Sequence, residues 1–224
     1  MQTIAADQSL RVAVIQGVGE AFAAGADISE FPSVRFTRDQ ARHFHEELIA
    51  PALTSIVHCP IPVVAAIHGH CVGGGLEIAS VCDLRIASDA SRFGIPINRL
   101  GFPLAPAETL GLLSLVGHAV ALEILLEGRI LDAQEAYTKG LINRCVPSAL
   151  WADEVSASVG RISEGSPHAA RRNKWLIHTL SRLNQNDVLS PEQIEACWDF
   201  VDTQDYRQAI SAFLSKVKPR FENH

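Results

Sequence analysis

Apolar residues fall into short runs over the first two thirds of the chain and into helical spacing over the last third. Arg11–Gln16 (RVAVIQ) is β-branched and compact, which predicts a strand. Val63–Ile67 is apolar at every position, which predicts a buried strand. Leu84–Ala87 and Leu141–Val146 read as further strands, and Arg92-Phe93-Gly94 as a third short one. Between the first two, Ala41, Phe44, Leu48, Ala52 and Ile56 recur at helical spacing. Thr37 and Gln40 predict a capping box at the start of that helix. Pro51 predicts a kink or split within it, because its ring clashes with the preceding turn. A short helix is expected from about Leu76 to Cys82. Ala119–Glu127 reads as a helix with Gly128 as its stop. Asp132 with Glu135 opens another, which Gly140 ends. From about Leu150 the pattern is helical, broken near Ser166-Pro167 and Ser190-Pro191. These elements predict a mixed α/β core over 1–146 and a helical region over 147–224.

Composition narrows the partners more than the fold. The net charge is −6 over 224 residues, with no dense Lys/Arg run, which argues against nucleic acid or an anionic membrane surface. The best apolar run, Ile61–Ile67, is strand-sized, so no membrane span is expected. The N-terminus lacks the basic and apolar regions of a secretory leader. Five cysteines (Cys59, Cys71, Cys82, Cys145, Cys197), with no CxxC pair, predict reduced, mostly buried thiols and a cytoplasm-like compartment.

Several stretches could carry chemistry. Gly17–Phe22 (GVGEAF) follows a strand but lacks the third glycine and the helix of a dinucleotide fingerprint. Small residues on both sides of Gly25 let backbone approach a ligand, and the Ala26 N–H is a candidate donor to an anionic oxygen. The strongest candidate is the strand Val63–Ile67 followed by the glycine-rich turn Gly69–Gly75 and a helix. That order exposes N–H groups to an anion. Three adjacent glycines cost backbone entropy, which close packing or a ligand must offset. Glu77 lies in the first turn among apolar neighbours, so a semi-buried carboxylate is expected beside the N–H groups, placed for acid/base work. His68 and His70 lack further ligands at metal spacing. There is no GxSxG elbow. His43 and His45, two apart on a helix, point their rings in different directions.

These residues together resemble the crotonase family, the enoyl-CoA hydratases and isomerases. Ala21–Ile28 (AFAAGADI) is similar to its first oxyanion motif and Pro62–Ser88 (PVVAAIHGHCVGGGLEIASVCDLRIAS) to its second. Ser91–Gly94, Arg99–Pro103, Glu127–Ile130, Ala133–Ala136, Gly140–Asn143 and Ala212–Lys216 also follow the family's run. The resemblance implies an α/β crotonase (ClpP-like) spiral of ββα units with a C-terminal helical region that builds a trimer or a dimer of trimers. It implies an acyl-CoA thioester as substrate, with coenzyme A as part of that substrate and no separate cofactor or metal. The implied oxyanion hole is the backbone N–H of Ala26 and of Gly74. Ala24, Ala26, Asp27, Ile28, Gly73 and Gly74 are implied as substrate contacts. Lys216 of a neighbouring subunit is implied near the coenzyme A phosphates.

Two departures set the expectations apart from a standard hydratase. The second catalytic glutamate of hydratases follows the proline of the Phe93–Ile97 run, and that position is Ile97. Glu108 is a candidate substitute, set against the plainer expectation of an exposed glutamate in a first helical turn. The chain also starts later than the family's, which suggests either a start upstream of Met1 or a neighbouring subunit over the uncovered edge. Hydration of a 2-enoyl-CoA is the default expectation. Isomerisation, other enolate chemistry such as decarboxylation, and a catalytically silent acyl-CoA-binding subunit are the alternatives.

Overall fold

The computed structural model describes residues 1–183 and 187–222. It divides into two compact units. One comprises Val14–His58 and Val63–Ser156; the other comprises Met1–Ala13, Cys59–Pro62 and Ala157–His224.

The first unit is built around two small sheets. Strands β1 (Ala13–Gln16), β2 (Val63–Ile67), β4 (Leu84–Ser88) and β7 (Arg144–Val146) form the larger, in the order β1-β2-β4-β7. Strands β3 (His70–Val72), β5 (Arg92–Gly94) and β6 (Leu131–Asp132) form the smaller. β2 and β4 run parallel with Val64 opposite Leu84, and β4 and β7 run parallel with Ile86 opposite Arg144. All residues of β2 are buried, as its unbroken apolar run requires of an inner parallel strand.

The expected strands exist: Val63–Ile67 and Arg92–Gly94 keep their limits, and β4 runs one residue further, to Ser88. β1 begins at Ala13 rather than Arg11, and β7 at Arg144 rather than Leu141. The glycine-rich turn is not turn throughout, because His70–Val72 pairs with Arg92–Gly94. α5 (Gly74–Ser80) starts earlier than expected, on the glycines themselves.

The helix entered at Thr37 has the expected capping box, with Gln40 N–H donating to Thr37 and Gln40 reaching back. It follows a short 3-10 turn (Ile28–Glu30) and α2 (Phe31–Val34); neither of these, nor the N-terminal α1 (Gln2–Ala6), is among the expected elements. Pro51 does not split it. Between α3 (Arg38–Arg42) and α4 (Ala50–Val57) the backbone widens into a π segment, His43–Ile49. There the Ala50 N–H reaches the carbonyl of His45. A π turn just before a proline relieves the clash of its ring with the previous turn.

The largest departure is α6. It runs from Pro106 to Glu127, 22 residues, although only its second half was legible. By length and composition alone it could cross a membrane, contrary to the sequence expectation. Gly117 breaks it, with φ 72° and ψ 177°, so neither half reaches the roughly 20 residues a span needs. α7 (Ala133–Thr138) is capped by Asp132, which accepts from the Glu135 N–H.

The second unit is mostly helical. It holds α8 (Trp151–Ser163) from Ala157 onward, α9 (Pro167–Leu180), α10 (Pro191–Glu195) and α11 (Gln204–Leu214). Ser166 and Ser190 cap α9 and α10, so both breaks fall where the Ser-Pro pairs placed them. All five cysteines are free; Cys59, Cys71 and Cys82 are buried, and Cys145 and Cys197 are half-buried.

Candidate active site

The three glycines after β3 serve three different needs. Gly73 has φ 54° and ψ −126°, outside the range of an ordinary L-residue. Gly75 packs against backbone: a Cβ there would lie 2.5 Å from the Ala23 carbonyl oxygen. Gly74 has open space, its nearest neighbours being Glu77 Oε2 and the Gly25 Cα, both 3.9 Å from where a Cβ would be. Packing and conformation therefore account for Gly73 and Gly75 and leave Gly74 unexplained by either.

The segment Ala21–Ile28 lies against this turn. The Ala23 N–H donates to His70 O (3.0 Å), and the Val72 N–H to Ala23 O (3.0 Å). Gly25, at φ 100°, brings its backbone beside the Gly74 nitrogen. Residues 24–28 are exposed. Asp27 accepts from the Ser29 N–H and hydroxyl, which turns the chain into its 3-10 turn. Among the described residues, neither the Ala26 N–H nor the Gly74 N–H has a hydrogen-bond acceptor. Donors left without a partner in this way are available to an oxygen carrying negative charge.

α5 is held firmly in place. Arg85 is buried at the start of β4, and its guanidinium donates to the carbonyls of Ala79, Cys82 and Leu141. Asn143 Oδ1 accepts from both its backbone and its side chain. The two carbonyls at the C-terminal end of α5 are thereby satisfied, fixing the helix that carries Glu77.

Glu77 is half-buried, and loss of solvation pushes its pKa up to about 7. The negative charge of Glu108 adds to that rise, and the positive charge of Arg35 opposes it. Glu108 is 3% exposed, so the expectation of an exposed first-turn glutamate is overturned. The reason is packing. Gly111 on α6 faces α5 so closely that a Cβ there would lie 2.9 Å from Ser80 Oγ. Glu108 and Glu77 each sit one turn before that contact. The Glu108 carboxylate accepts from the Ala105 N–H (Oε2, 3.2 Å) and lies 2.5 Å from His45 Nδ1 (Oε1). His43 and His45 do take different partners: His43 lies beside exposed Glu47 at 3.2 Å, and His45 turns inward.

The sequence model of the family "Enoyl-CoA hydratase/isomerase" matches residues 1–224. The chain belongs to the enoyl-CoA hydratase/isomerase family. A Bacillus subtilis protein named "Probable enoyl-CoA hydratase" is 34% identical over 222 residues, covering 96% of this chain and 83% of that one. The crystal structure of an enoyl-CoA hydratase/carnithine racemase from Magnetospirillum magneticum superposes with a TM-score of 0.95 at 42% identity, covering 100% of this chain and 82% of that one. That of an enoyl-CoA hydratase from Bacillus anthracis does so with 0.88 at 28% identity, covering 100% and 85%. The two small sheets with C-terminal helices are the crotonase fold.

Gly25 and Glu77 both lie beside Gly74, Ala26 follows Gly25 in the exposed loop, and the charge of Glu108 acts on Glu77. Ile97 is buried at the start of a 3-10 turn and offers no proton. Lys216 lies in the other compact unit, exposed beyond the end of α11, with φ 56°. The sequence offers His45 only as half of a divergent histidine pair, and Arg35 does not stand out in it. Arg35 stands four residues after Phe31, a spacing that could have signalled a cation over a ring.

Proposed function

We propose that this protein is an acyl-CoA enzyme that holds a thioester enolate between the N–H groups of Ala26 and Gly74, with hydration of a 2-enoyl-CoA as its reaction. The observation that carries this reading is Glu77, a carboxyl poised near neutrality beside an unpartnered Gly74 N–H. As water adds to C3, charge moves onto the thioester oxygen, where two preorganised donors are each worth about 3–4 kcal/mol. Glu108 takes the proton from that water. It is buried and held between His45 and the Ala105 N–H, and it stands in for the carboxylate absent at Ile97. Glu77, carrying its proton, delivers it to C2.

A second reading has an observation of its own. Both Glu108 oxygens are already engaged. If they are unavailable to water, Glu77 alone can take a proton from C2 of a 3-enoyl-CoA and return it to C4, which is isomerisation. The two reactions need opposite forms of Glu77, so pH separates them. Hydration of crotonyl-CoA is expected to lose kcat/KM as pH rises through about 7; isomerisation of 3-hexenoyl-CoA gains it over the same window. A profile flat between about pH 5 and 9, or thioester binding with no turnover of either substrate, would sink the acid/base role. The second outcome supports a silent binding subunit.

Glu108→Gln provides an independent check, read from the pH at which stability is lost and not from hydration, which needs Glu108. Removing that negative charge favours ionised Glu77, so the midpoint moves to lower pH. An unmoved midpoint argues that the two carboxyls do not share a site. The free cysteines suit a reducing, cytoplasm-like compartment. Trp198, just before a 3-10 turn, and Phe213 and Leu214 on α11 are exposed and suit assembly as a trimer or dimer of trimers; light scattering on a sizing column measures this.

A further inference from the structure

Arg35 is the one member of the carboxylate cluster that the reaction above leaves without a task. Its guanidinium carbon lies 4.1 Å from the ring centroid of Phe31 and 4.1 Å from that of Phe102. Those rings are inclined at 73° to each other, so the cation occupies the corner they form. Phe44 closes the notch at 5.5 Å. Three rings hold the group in place through its faces and leave its N–H edges uncommitted. Among the described residues, those N–H groups have no hydrogen-bond acceptor and no carboxylate within ion-pair distance. Glu108, the obvious partner, is already bonded to His45 and to the Ala105 N–H.

Phe44 packs edge-on against His45 at 5.2 Å, and His45 Nδ1 lies 2.5 Å from Glu108, so the notch adjoins the carboxylates. The cation's charge is felt by Glu77 and by Glu108, and burial among the rings pulls it below its ordinary value. The guanidinium is half-buried, and its nitrogens are not sealed from solvent, so its donors are open to a ligand. Planar donors fixed against aromatic rings match one ligand group well, a carboxylate taken by two parallel N–H bonds. On the reading that a thioester enolate sits at Ala26 and Gly74, what lies beyond Glu77 is the far end of the acyl chain.

We propose that Arg35 binds a second carboxylate on the acyl chain, so that the substrate is a carboxyacyl-CoA rather than a plain fatty acyl-CoA. This rests on the thioester reading above and adds the identity of the chain's end. It also gives the aromatic notch a function: Phe31, Phe44 and Phe102 hold the guanidinium that meets the chain's end.

The test compares unreactive thioesters of equal length with and without the terminal charge. Affinities of glutaryl-CoA and valeryl-CoA, and of adipyl-CoA and hexanoyl-CoA, are measured by calorimetry on the full chain. At least one carboxylated thioester is expected to bind tenfold or more tighter than its plain partner. In Arg35→Met that ratio falls to about one; Arg35→Lys, which keeps charge without the planar fork, retains part of it. A merely structural Arg35 would move both members of a pair together and leave the ratio intact. Equal affinities in the unmodified protein for both pairs overturn the proposal and leave the thioester reading standing. A ratio that survives Arg35→Met, in protein with unchanged circular dichroism, also overturns it. No binding of any of the four overturns the thioester reading and the proposal with it.

Discussion

Replacing Glu77 with glutamine is expected to slow turnover about a thousandfold, the usual worth of a positioned proton carrier, and to make the folded protein harder to unfold near pH 8. The second effect follows from the first residue's burial. A carboxyl with an ordinary value near 4.5 that is held at about 7 in the fold binds its proton more tightly there than in the unfolded chain. Its contribution to stability is therefore fully present below about pH 4.5 and is lost as pH rises to about 7. At about 1.4 kcal/mol per tenfold change the full difference is roughly 3 kcal/mol, and partial access of water reduces it to about 1–3 kcal/mol. Glutamine never ionises and avoids that loss. Urea midpoints for both proteins at about pH 5 and pH 8 check this. The variant gains at the higher pH and shows little gain at the lower. Equal midpoints at the higher pH would mean that Glu77 is well solvated, and its role as a neutral-pH acid would fall with that. Stability given up for chemistry is common where a site needs a charge in a dry place.

Two alanine substitutions, one residue apart, are expected to fail in different ways. In Gly75→Ala the new methyl meets the Ala23 oxygen at 2.5 Å and the Ala23 Cβ at 2.8 Å. Neither is the mobile end of a side chain, so backbone must shift, at a cost of about 1–3 kcal/mol. In a chain of this size the melting temperature falls by roughly 3–10 °C. Because Ala23 is bonded to β3 on both its polar groups, the shift also carries the Ala26 loop, and activity falls with stability. In Gly74→Ala the methyl meets nothing closer than 3.9 Å, and melting should change little. It does occupy space between Glu77 and Gly25, where a thioester oxygen would rest. A loss of about 100-fold in kcat/KM is expected, comparable to one displaced oxyanion donor. Calorimetry and steady-state kinetics on both variants give the contrast. Gly74→Ala with full activity would remove Gly74 from the oxyanion site.

What could be read in the sequence were features with local causes. Val63–Ile67 is all apolar, and Thr37, Asp132, Ser166 and Ser190 each announce a helix start through their own side chains. What could not be read depends on partners distant in the chain. His70–Val72 looks like part of a loop until Arg92–Gly94 pairs with it. The first half of α6 hides behind Pro106 and a glycine-bearing stretch, yet Gly111 is there because Ser80 and Val81 press against it. Glu108 alone reads as a surface cap. Its burial, and with it His45, comes from a contact between helices that no local pattern records. The glycine run is intermediate: its importance is plain from composition, but the division of labour among Gly73, Gly74 and Gly75 needs their surroundings.

The widened turn before Pro51 has a consequence for how this helix tolerates change. The π segment accommodates one residue more than a regular helix of the same rise. That spare residue sets the angular phase between His45, which faces Glu108, and Leu53 and Ile56, which are buried further along. Dropping one residue from the widened stretch would restore an even hydrogen-bond ladder and turn the two ends against each other by about a quarter of a revolution. If the core keeps its grip on Leu53 and Ile56, His45 and Phe44 swing away from the site. The more regular helix is thus the one that cannot hold Glu108 from one side and crowd Arg35 from the other.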